Sequence, residues 1–310
     1  MPRRESALCA RVAQALRANR AAKLNFPGLF MGLSGRHVGD DGIDLTFDDG
    51  EWSRDVRGEL NWPALGVLLD IGLGAVTRLK SPPTQRPATV QLQMQMTGVP
   101  MTGHAVCRAR LLEHAGAAAV KHALSSGTVT CDERVVAYVS GAFLMLDLPE
   151  GRTQAREPWA PAGLEFDRDA ELDDYERTAV KRCAAAERAA TPAHPFIDRF
   201  WCGIPQGGDG KARLDVPVGP HLGNRTGHVH GGILLGMAVQ TAGAAVPQMA
   251  LSNVSAWFVR PGDGARLRVR SKVVQQGRTL AVVRTQILSA EGKLVLEATS
   301  QHIAAAADGA

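Results

Sequence analysis

The chain of 310 residues carries one pattern twice, and this internal repeat limits the folds that it can adopt. Two apolar, glycine-containing stretches, at 61–72 and 230–241, have the pattern of helices that are buried on most sides. Each is followed by four segments with the alternating pattern of strands, and a further strand is predicted before each helix, at 42–47 and 211–218. The sequence therefore predicts two copies of one α+β fold, each with a buried helix against antiparallel strands.

The predicted strands occupy equivalent places in the two copies. They cover 89–96, 105–112, 119–131 and 135–146 in the first copy, and 254–259, 266–274, 279–288 and 294–303 in the second. We accordingly divide the chain into a first domain at 1–146, a linker at 147–194 and a second domain at 195–310. An acidic and then alanine-rich stretch at 169–190 predicts a solvent-exposed helix within the linker.

The N-terminal segment precedes the first copy and has a helical pattern of its own. Leu8, Val12 and Leu16 recur every four residues, which favours an amphipathic helix docked on the surface of the first domain. The segment is also basic, with Arg3 and Arg4 close to the start, so a transit peptide is the alternative interpretation.

Composition and charge argue against several classes of partner. Aromatic residues make up 5% of the chain and the formal net charge is +4, so a nucleic-acid-binding surface is not expected. The longest apolar run, at 233–246, is interrupted by Gln240 and Thr241 and is too short to cross a bilayer. The five cysteines are odd in number and lack the spacing of metal knuckles, which predicts inert, reduced thiols in a cytoplasmic protein.

Three short motifs of the second copy resemble a known family. A long helix wrapped by a curled antiparallel sheet resembles the hotdog fold. The string GHVHGGILL at 227–235 resembles the signature of acyl-CoA thioesterases of the phenylacetyl-CoA (PaaI-like) type, and WFVRP at 257–261 followed by GRT at 277–279 resembles their strand pattern. The resemblance covers 195–305 well and 24–146 more weakly. It implies two tandem hotdog domains that form a pseudo-dimer within one chain, and thioester hydrolysis as the activity.

Thioester hydrolysis needs hydrogen-bond donors for the developing oxyanion and a base that directs water or attacks the carbonyl itself. Gly231 and Gly232 lie where the second helix is predicted to start, and the leading amides of a helix are unpaired and favour negative charge. Gly231 is therefore predicted to hold the oxyanion, and Gly232 is placed among the residues that bind coenzyme A. The resemblance implies that His230 and Asn224 help to orient the carbonyl.

The resemblance also implies a carboxylate nine residues after the histidine. That position is Val239 in the second copy but Asp70 in the first, whose own glycine motif is replaced by Asn61, Trp62 and Pro63. Nine residues of helix span about 13 Å, so such a carboxylate must serve a carbonyl held by a neighbouring antiparallel helix. One composite site per chain is predicted, with Asp70 as general base or nucleophile and an inactive mirror site.

A hydroxyl near the base is a further feature implied by the resemblance, and Thr89 matches its position on the strand after the first helix. For the phosphates of coenzyme A, Arg260 and Arg278 are the predicted ligands, since guanidinium suits that geometry. No cofactor is expected apart from the coenzyme A of the substrate. His228 and His230 have no third ligand at a convincing spacing, so no metal site is predicted.

Two other functions remain open from the sequence. A hotdog hydratase or dehydratase of acyl thioesters would use the same fold, although the chain has no loop that pairs a histidine with an aspartate two residues on. A non-catalytic acyl-CoA-binding protein is the second, because each copy lacks part of the machinery. The acyl group is not predicted, and a homodimer of pseudo-dimers is possible through exposed sheet edges.

Overall fold

The computed structural model describes the chain apart from residues 1–5, 40–41, 116–120, 155–156, 158, 162 and 305–310. The helices of these described parts are α1 (Ala7–Ala22), α2 (Phe26–Met31), α3 (Trp62–Leu79), α4 (Asp174–Ala189), α5 (Phe196–Trp201) and α6 (Gly231–Ala245). The strands before the linker are β1 (Ser34–Val38), β2 (Ile43–Thr46), β3 (Gln85–Met96), β4 (Ala105–Ala115), β5 (His122–Cys131) and β6 (Arg134–Asp147). Those after it are β7 (Gln206–Gly208), β8 (Lys211–Pro217), β9 (Met249–Phe258), β10 (Arg266–Gln276), β11 (Leu280–Ser289) and β12 (Leu294–Ala304).

The order of elements repeats along the chain, as the sequence pattern predicts. β2, α3 and β3 to β6 in the first half correspond to β8, α6 and β9 to β12 in the second. The predicted helices and strands occur with shifts of up to seven residues at their ends, except that the predicted start of β5 at Ala119 lies outside the described residues. Two short helices, α2 and α5, and the short strands β1 and β7 have no counterpart in the prediction.

All twelve strands belong to one antiparallel sheet, in the order β1-β2-β4-β5-β6-β3-β9-β12-β11-β10-β8-β7. The halves meet where β3 pairs with β9, from Gln91 opposite Trp257 to Gln95 opposite Asn253. The expectation of one sheet for each copy is therefore replaced by a continuous sheet that both halves share.

The helix α3 forms the centre of the first half. Every residue from Pro63 to Thr77 is buried, in agreement with the apolar pattern of the sequence. By length and hydropathy this helix could also cross a membrane, but 89% of the stretch is buried inside the fold. Its charged exception is Asp70, whose burial needs hydrogen-bonding partners because an unpaired buried carboxylate is costly.

The helices α3 and α6 run antiparallel and touch through their backbones. A Cβ atom at Gly66 would collide with the carbonyl oxygen of Gly232, and one at Gly232 would collide with that of Gly66. At Gly236 a Cβ would lie 2.5 Å from the Cα of Pro63. This close crossing, which only glycine allows, brings the middle of α3 against the first turn of α6.

The linker helix α4 is more buried than the sequence predicts. It starts at the N-cap Asp173, whose side chain forms a capping box with Glu176, but it then buries Ala179, Cys183 and Ala186. The helix packs against α1 and α5 rather than standing in solvent. Small alanine side chains give this face little apolar signal, although they let α1 approach closely. The predicted docking of α1 through its apolar stripe is confirmed by the burial of that stripe.

All five cysteines are buried thiols, and burial raises the pKa of Cys107 and Cys202 to about 12. Thiols with such pKa values are protonated at neutral pH, which fits the prediction that they are inert. Among the described residues, the single group spaced for a metal is Cys9, Cys183 and Glu187, whose ligand atoms lie within 4.8 Å of one another. The two sulfur atoms of that group are 3.2 Å apart.

Acidification is expected to destabilise the fold through its buried histidines. Burial lowers the pKa of His302 to about 4 and that of His221 well below 6.5. Below pH 6.5 the unfolded chain binds protons at these residues and the folded chain does not. Their neutral state therefore contributes fully to the free energy of unfolding above that pH, and the free energy of unfolding falls as the pH is lowered toward 4. Thermal unfolding at pH 7.5 and pH 5 tests this, with a midpoint several degrees lower at pH 5. His302→Gln should reduce that difference and the control His194→Gln should not; equal differences in all three proteins would contradict the assignment.

Candidate active site

Asp70 lies in the middle of α3, is 7% exposed, and uses both carboxylate oxygens as hydrogen-bond acceptors. The hydroxyl of Thr89 on β3 donates to Oδ1 at 2.8 Å. The backbone N–H of Gly232 in the first turn of α6 donates to Oδ2 at 2.9 Å. The carboxylate is thus fixed in one orientation between an element of its own half and an element of the other half.

His230 is the N-cap of α6 and is buried. Its Nδ1 atom accepts a hydrogen bond from Gly232 N–H at 3.1 Å and lies 3.4 Å from Oδ2 of Asp70. Burial lowers the pKa of His230, an effect that the nearby Asp70 partly opposes. The imidazole is therefore neutral at pH 7. Because Nδ1 accepts the hydrogen bond from Gly232, we assign the ring hydrogen to Nε2, which can act as a donor.

Gly231 is the first residue of α6, and its N–H has no hydrogen-bond acceptor among the described residues. A Cβ at this position would lie 2.6 Å from Oδ2 of Asp70, so a side chain would collide with the carboxylate. The free amide at the positive end of a helix of 15 residues is suited to bind an oxygen that gains negative charge.

A cavity of about 360 Å³ opens in front of these groups. One face of α3 forms its floor, with Asp70, Gly74 and Arg78 at successive turns. The first turn of α6, the loop at 224–229 and the segment at 258–262 supply further walls, so that both halves of the chain line the cavity.

The structure brings together most of the predicted catalytic residues. Asn224 also forms hydrogen bonds within its own loop. The Oδ1 atom of Asn224 accepts hydrogen bonds from the backbone N–H groups of Thr226 at 2.9 Å and His228 at 3.1 Å. The side chain therefore shapes the loop before α6. It also lines the cavity, where its Nδ2 atom is the remaining donor for a ligand. The catalytic roles of all these residues stay predictions.

The three residues predicted to bind coenzyme A lie in different environments. Arg260 is exposed and lines the cavity. Gly232 is buried at the helix crossing, and its N–H already donates to Asp70 and His230, so a phosphate cannot reach it. Arg278 lies in the turn between β10 and β11 and does not line this cavity, because the strand pair carries it away from the start of α6.

Three arginines of the cavity, Arg78, Arg86 and Arg225, were missed by sequence reasoning, and Arg86 lies on β3 three residues before Thr89. Arg78 follows Asp70 by eight residues on α3, and Arg225 directly follows Asn224. Arg78 could have been found from its place on the stripe that contains Asp70, but a basic residue near a helix C-terminus is usually explained by the helix dipole. Arg225 had no signal in the sequence, since its orientation depends on the fold of the loop.

The equivalent region at the other end of the helix pair has no carboxylate at the position that corresponds to Asp70. Val239 is 3% exposed and stands where the first half has its carboxylate. Asn61 caps α3 without a side-chain capping bond and instead donates from Nδ2 to Oδ1 of Asp198 on α5 at 2.8 Å. With Pro63 in the first turn, α3 also presents one backbone donor fewer than α6 does.

Part of the chain is similar in sequence to a known protein family. Residues 221–302 match the family model described as "Acyl-CoA thioesterase N-terminal domain". The match lies within the second half of the chain and covers α6 and most of β9 to β12. No curated protein sequence matches the chain significantly.

Three solved structures resemble the chain across both halves. A candidate oleoyl thioesterase from Lactobacillus plantarum has a TM-score of 0.54 at 11% identity, with 85% of this chain and 96% of that chain covered. A candidate thioesterase from Novosphingobium aromaticivorans has a TM-score of 0.51 at 14% identity, with 88% of this chain and 98% of that chain covered. The tesB protein of Mycobacterium avium subspecies paratuberculosis has a TM-score of 0.50 at 10% identity, with 88% of this chain and 96% of that chain covered. At these identities the likeness concerns the fold, which is that of the hotdog-type thioesterases.

Proposed function

We propose that this chain is an acyl-CoA thioesterase of PaaI-like type with a single composite active site. The observation that carries the proposal is the 2.9 Å hydrogen bond from Gly232 N–H to Oδ2 of Asp70, which sets an acid from one half against the helix start of the other. In this proposal residues 1–146 and 195–310 are two hotdog domains, joined by the linker at 147–194 into an intrachain pseudo-dimer.

The proposed reaction begins with the thioester carbonyl at the first turn of α6. The N–H of Gly231 and the Nε2–H of His230 donate to the carbonyl oxygen and stabilise the oxyanion as it develops. Asp70 then acts in one of two ways. As a general base it takes a proton from water, whose oxygen adds to the carbonyl carbon; as a nucleophile it adds to that carbon itself, and water hydrolyses the resulting anhydride.

In both routes the carbon–sulfur bond breaks, and the thiolate of coenzyme A leaves and takes up a proton. The products are a free acid and coenzyme A, with one water molecule consumed. Oδ1 of Asp70 stays hydrogen-bonded to Thr89. Oδ2 is then the oxygen that takes the proton from water or adds to the carbonyl carbon. Arg260 and Arg278 remain the proposed ligands for the phosphates of coenzyme A, with Arg260 already at the cavity.

Release of thiol from acyl-CoA substrates tests the proposed function. Purified protein is incubated with thioesters of short, long and aryl acyl groups, and free thiol is followed with a thiol reagent. Thioesterase activity predicts thiol release in step with free acid. A hydratase would change the acyl chain without thiol release, and tight binding of acyl-CoA without turnover would indicate a binding protein; both outcomes would contradict the proposal.

Removing the hydroxyl of Thr89 is expected to weaken turnover without abolishing it. Thr89→Val keeps the shape of the side chain but removes the donor to Asp70, so kcat/KM should fall about tenfold, as for a hydrogen bond to a charged group. Thr130→Val is the matched control, because its hydroxyl on β5 is buried without a partner in the described part of the chain. Equal rates in wild type and Thr89→Val would contradict a role for the hydroxyl.

A further inference from the structure

The proposed active-site cavity contains far more positive than negative charge. Four arginines line it, at positions 78, 86, 225 and 260. Asp70 is the one carboxylate among the lining residues that the structure describes. Catalysis at a thioester carbonyl needs an oxyanion hole and a base, which the start of α6 and Asp70 already supply. The surplus of guanidinium groups therefore requires another explanation.

Arg78 and Arg225 are neighbouring members of this group, and burial removes part of their hydration. The Nε and Nη1 atoms of Arg78 are buried and have no hydrogen-bond partner among the described residues. Burial, together with repulsion from Arg225, lowers the pKa of Arg78 to about 9. Burial also lowers the pKa of Arg225, whose Nη1 donates to the neutral Oε1 of Gln154 at 3.2 Å.

Two neighbouring cations without a carboxylate partner destabilise the protein that contains them. Both groups remain protonated at pH 7, and their desolvation is offset only when an anion lies between them. An anionic ligand in the cavity would supply the missing hydrogen-bond acceptors. Carboxylate is well matched to this task, because its two oxygens accept paired N–H bonds from a guanidinium.

The position of Arg78 indicates which part of a thioester carries that anion. Its Cα lies about 12 Å along α3 from that of Asp70, and side chains on a helix lean toward its N-terminus, which here means toward Asp70. The small residues Gly74 and Ala75 lie between the two and leave room above the helix. The phosphates of coenzyme A lie at the far end of the long pantetheine arm, and Arg260 is the one exposed arginine among the described lining residues that can meet them at the surface.

We propose that Arg78 and Arg225 bind a carboxylate at the far end of the acyl group, and that the substrates are coenzyme A thioesters of dicarboxylic acids. This inference rests on the proposed thioesterase function, since it places the scissile carbonyl at the start of α6. The acyl chain lies along Gly74 and Ala75, with its second carboxylate between the two guanidinium groups.

A matched pair of thioesters tests the proposal. Glutaryl-CoA carries the terminal carboxylate, and the CoA thioester of monomethyl glutarate is the uncharged analogue of nearly equal shape. Wild type should prefer glutaryl-CoA in kcat/KM by about tenfold to a hundredfold, the range expected for hydrogen bonds to a charged group. Arg78→Met should lose this preference, while Arg188→Met on the exposed face of α4 should retain it.

Equal kcat/KM for the two thioesters in wild type would overturn the proposal, and so would a preference that Arg78→Met retains. N-acetylcysteamine thioesters of the same acids, which lack the phosphates, distinguish the two sources of negative charge. If Arg78→Met slows both CoA thioesters equally and leaves the N-acetylcysteamine thioesters unaffected, the guanidinium binds phosphate, and the carboxylate assignment is wrong.

The proposed function and this inference fail separately. If wild type hydrolyses none of the thioesters, the proposed function is wrong. Calorimetric titration of the same pair of CoA thioesters into wild type and Arg78→Met then tests the carboxylate site alone. Tighter binding of glutaryl-CoA that depends on Arg78 would support the site, and equal affinities would overturn it.

Discussion

Replacing Asp70 with Asn is expected to lower kcat by about a thousandfold while the protein remains folded. The amide matches the carboxylate in shape, but it neither accepts a proton from water nor attacks a carbonyl. Asp70 is buried, and its two oxygens already accept bonds from Thr89 and Gly232, so the loss would be chemical rather than structural. Thiol release at saturating substrate measures the effect, with circular dichroism and thermal unfolding as checks on the fold.

Asp215→Asn provides the matched control for this experiment. Asp215 has an exposed side chain on the face of β8 opposite the buried Leu214 and Val216, and it does not line the cavity, so its replacement should leave kcat unchanged. A rate for Asp70→Asn close to that of the control would exclude Asp70 as the base and with it the composite site.

Gly231→Ala is expected to lower kcat/KM by about a hundredfold to a thousandfold, the range found on loss of an oxyanion-hole donor. The added methyl group would lie 2.6 Å from Oδ2 of Asp70. The carboxylate and the first turn of α6 would have to move apart, which displaces the free amide of residue 231 from the carbonyl. Steady-state kinetics on one substrate measure the change in kcat and KM.

Gly243→Ala is the matched control, because it makes the same substitution in the same helix where nothing lies within 4 Å of the new Cβ. This variant should keep full activity and could gain up to about 1 kcal/mol of stability from the higher helix propensity of alanine. If the two alanine variants are equally active, contact between Gly231 and Asp70 has no part in catalysis.

The elements and several site residues follow from the sequence for identifiable reasons. The helices α3 and α6 and the long strands have strong hydrophobic periodicity, so their existence can be predicted without the structure. Asp70 stands out because a carboxylate in an apolar helix needs a partner. Its distance from any donor on its own helix start then indicates that the partner belongs to another helix.

Other features depend on contacts that no local pattern records. The pairing of β3 with β9 joins the halves into one sheet, yet neither strand has a signal for its partner. The mutual contact of Gly66 and Gly232 becomes visible only when the helices cross. Arg78 has the sequence context of an ordinary helix end, and its isolation from carboxylates is a property of the folded cavity.

In the proposed function, two halves of one chain make one active site. Calorimetric titration with a non-hydrolysable thioether analogue of a substrate found in the thiol-release screen tests it most directly. The composite site predicts a stoichiometry of one analogue per chain, since the other end of the helix pair has Val239 in place of the acid and Pro63 in place of the donor Gly232. A stoichiometry of two per chain would contradict a single composite site.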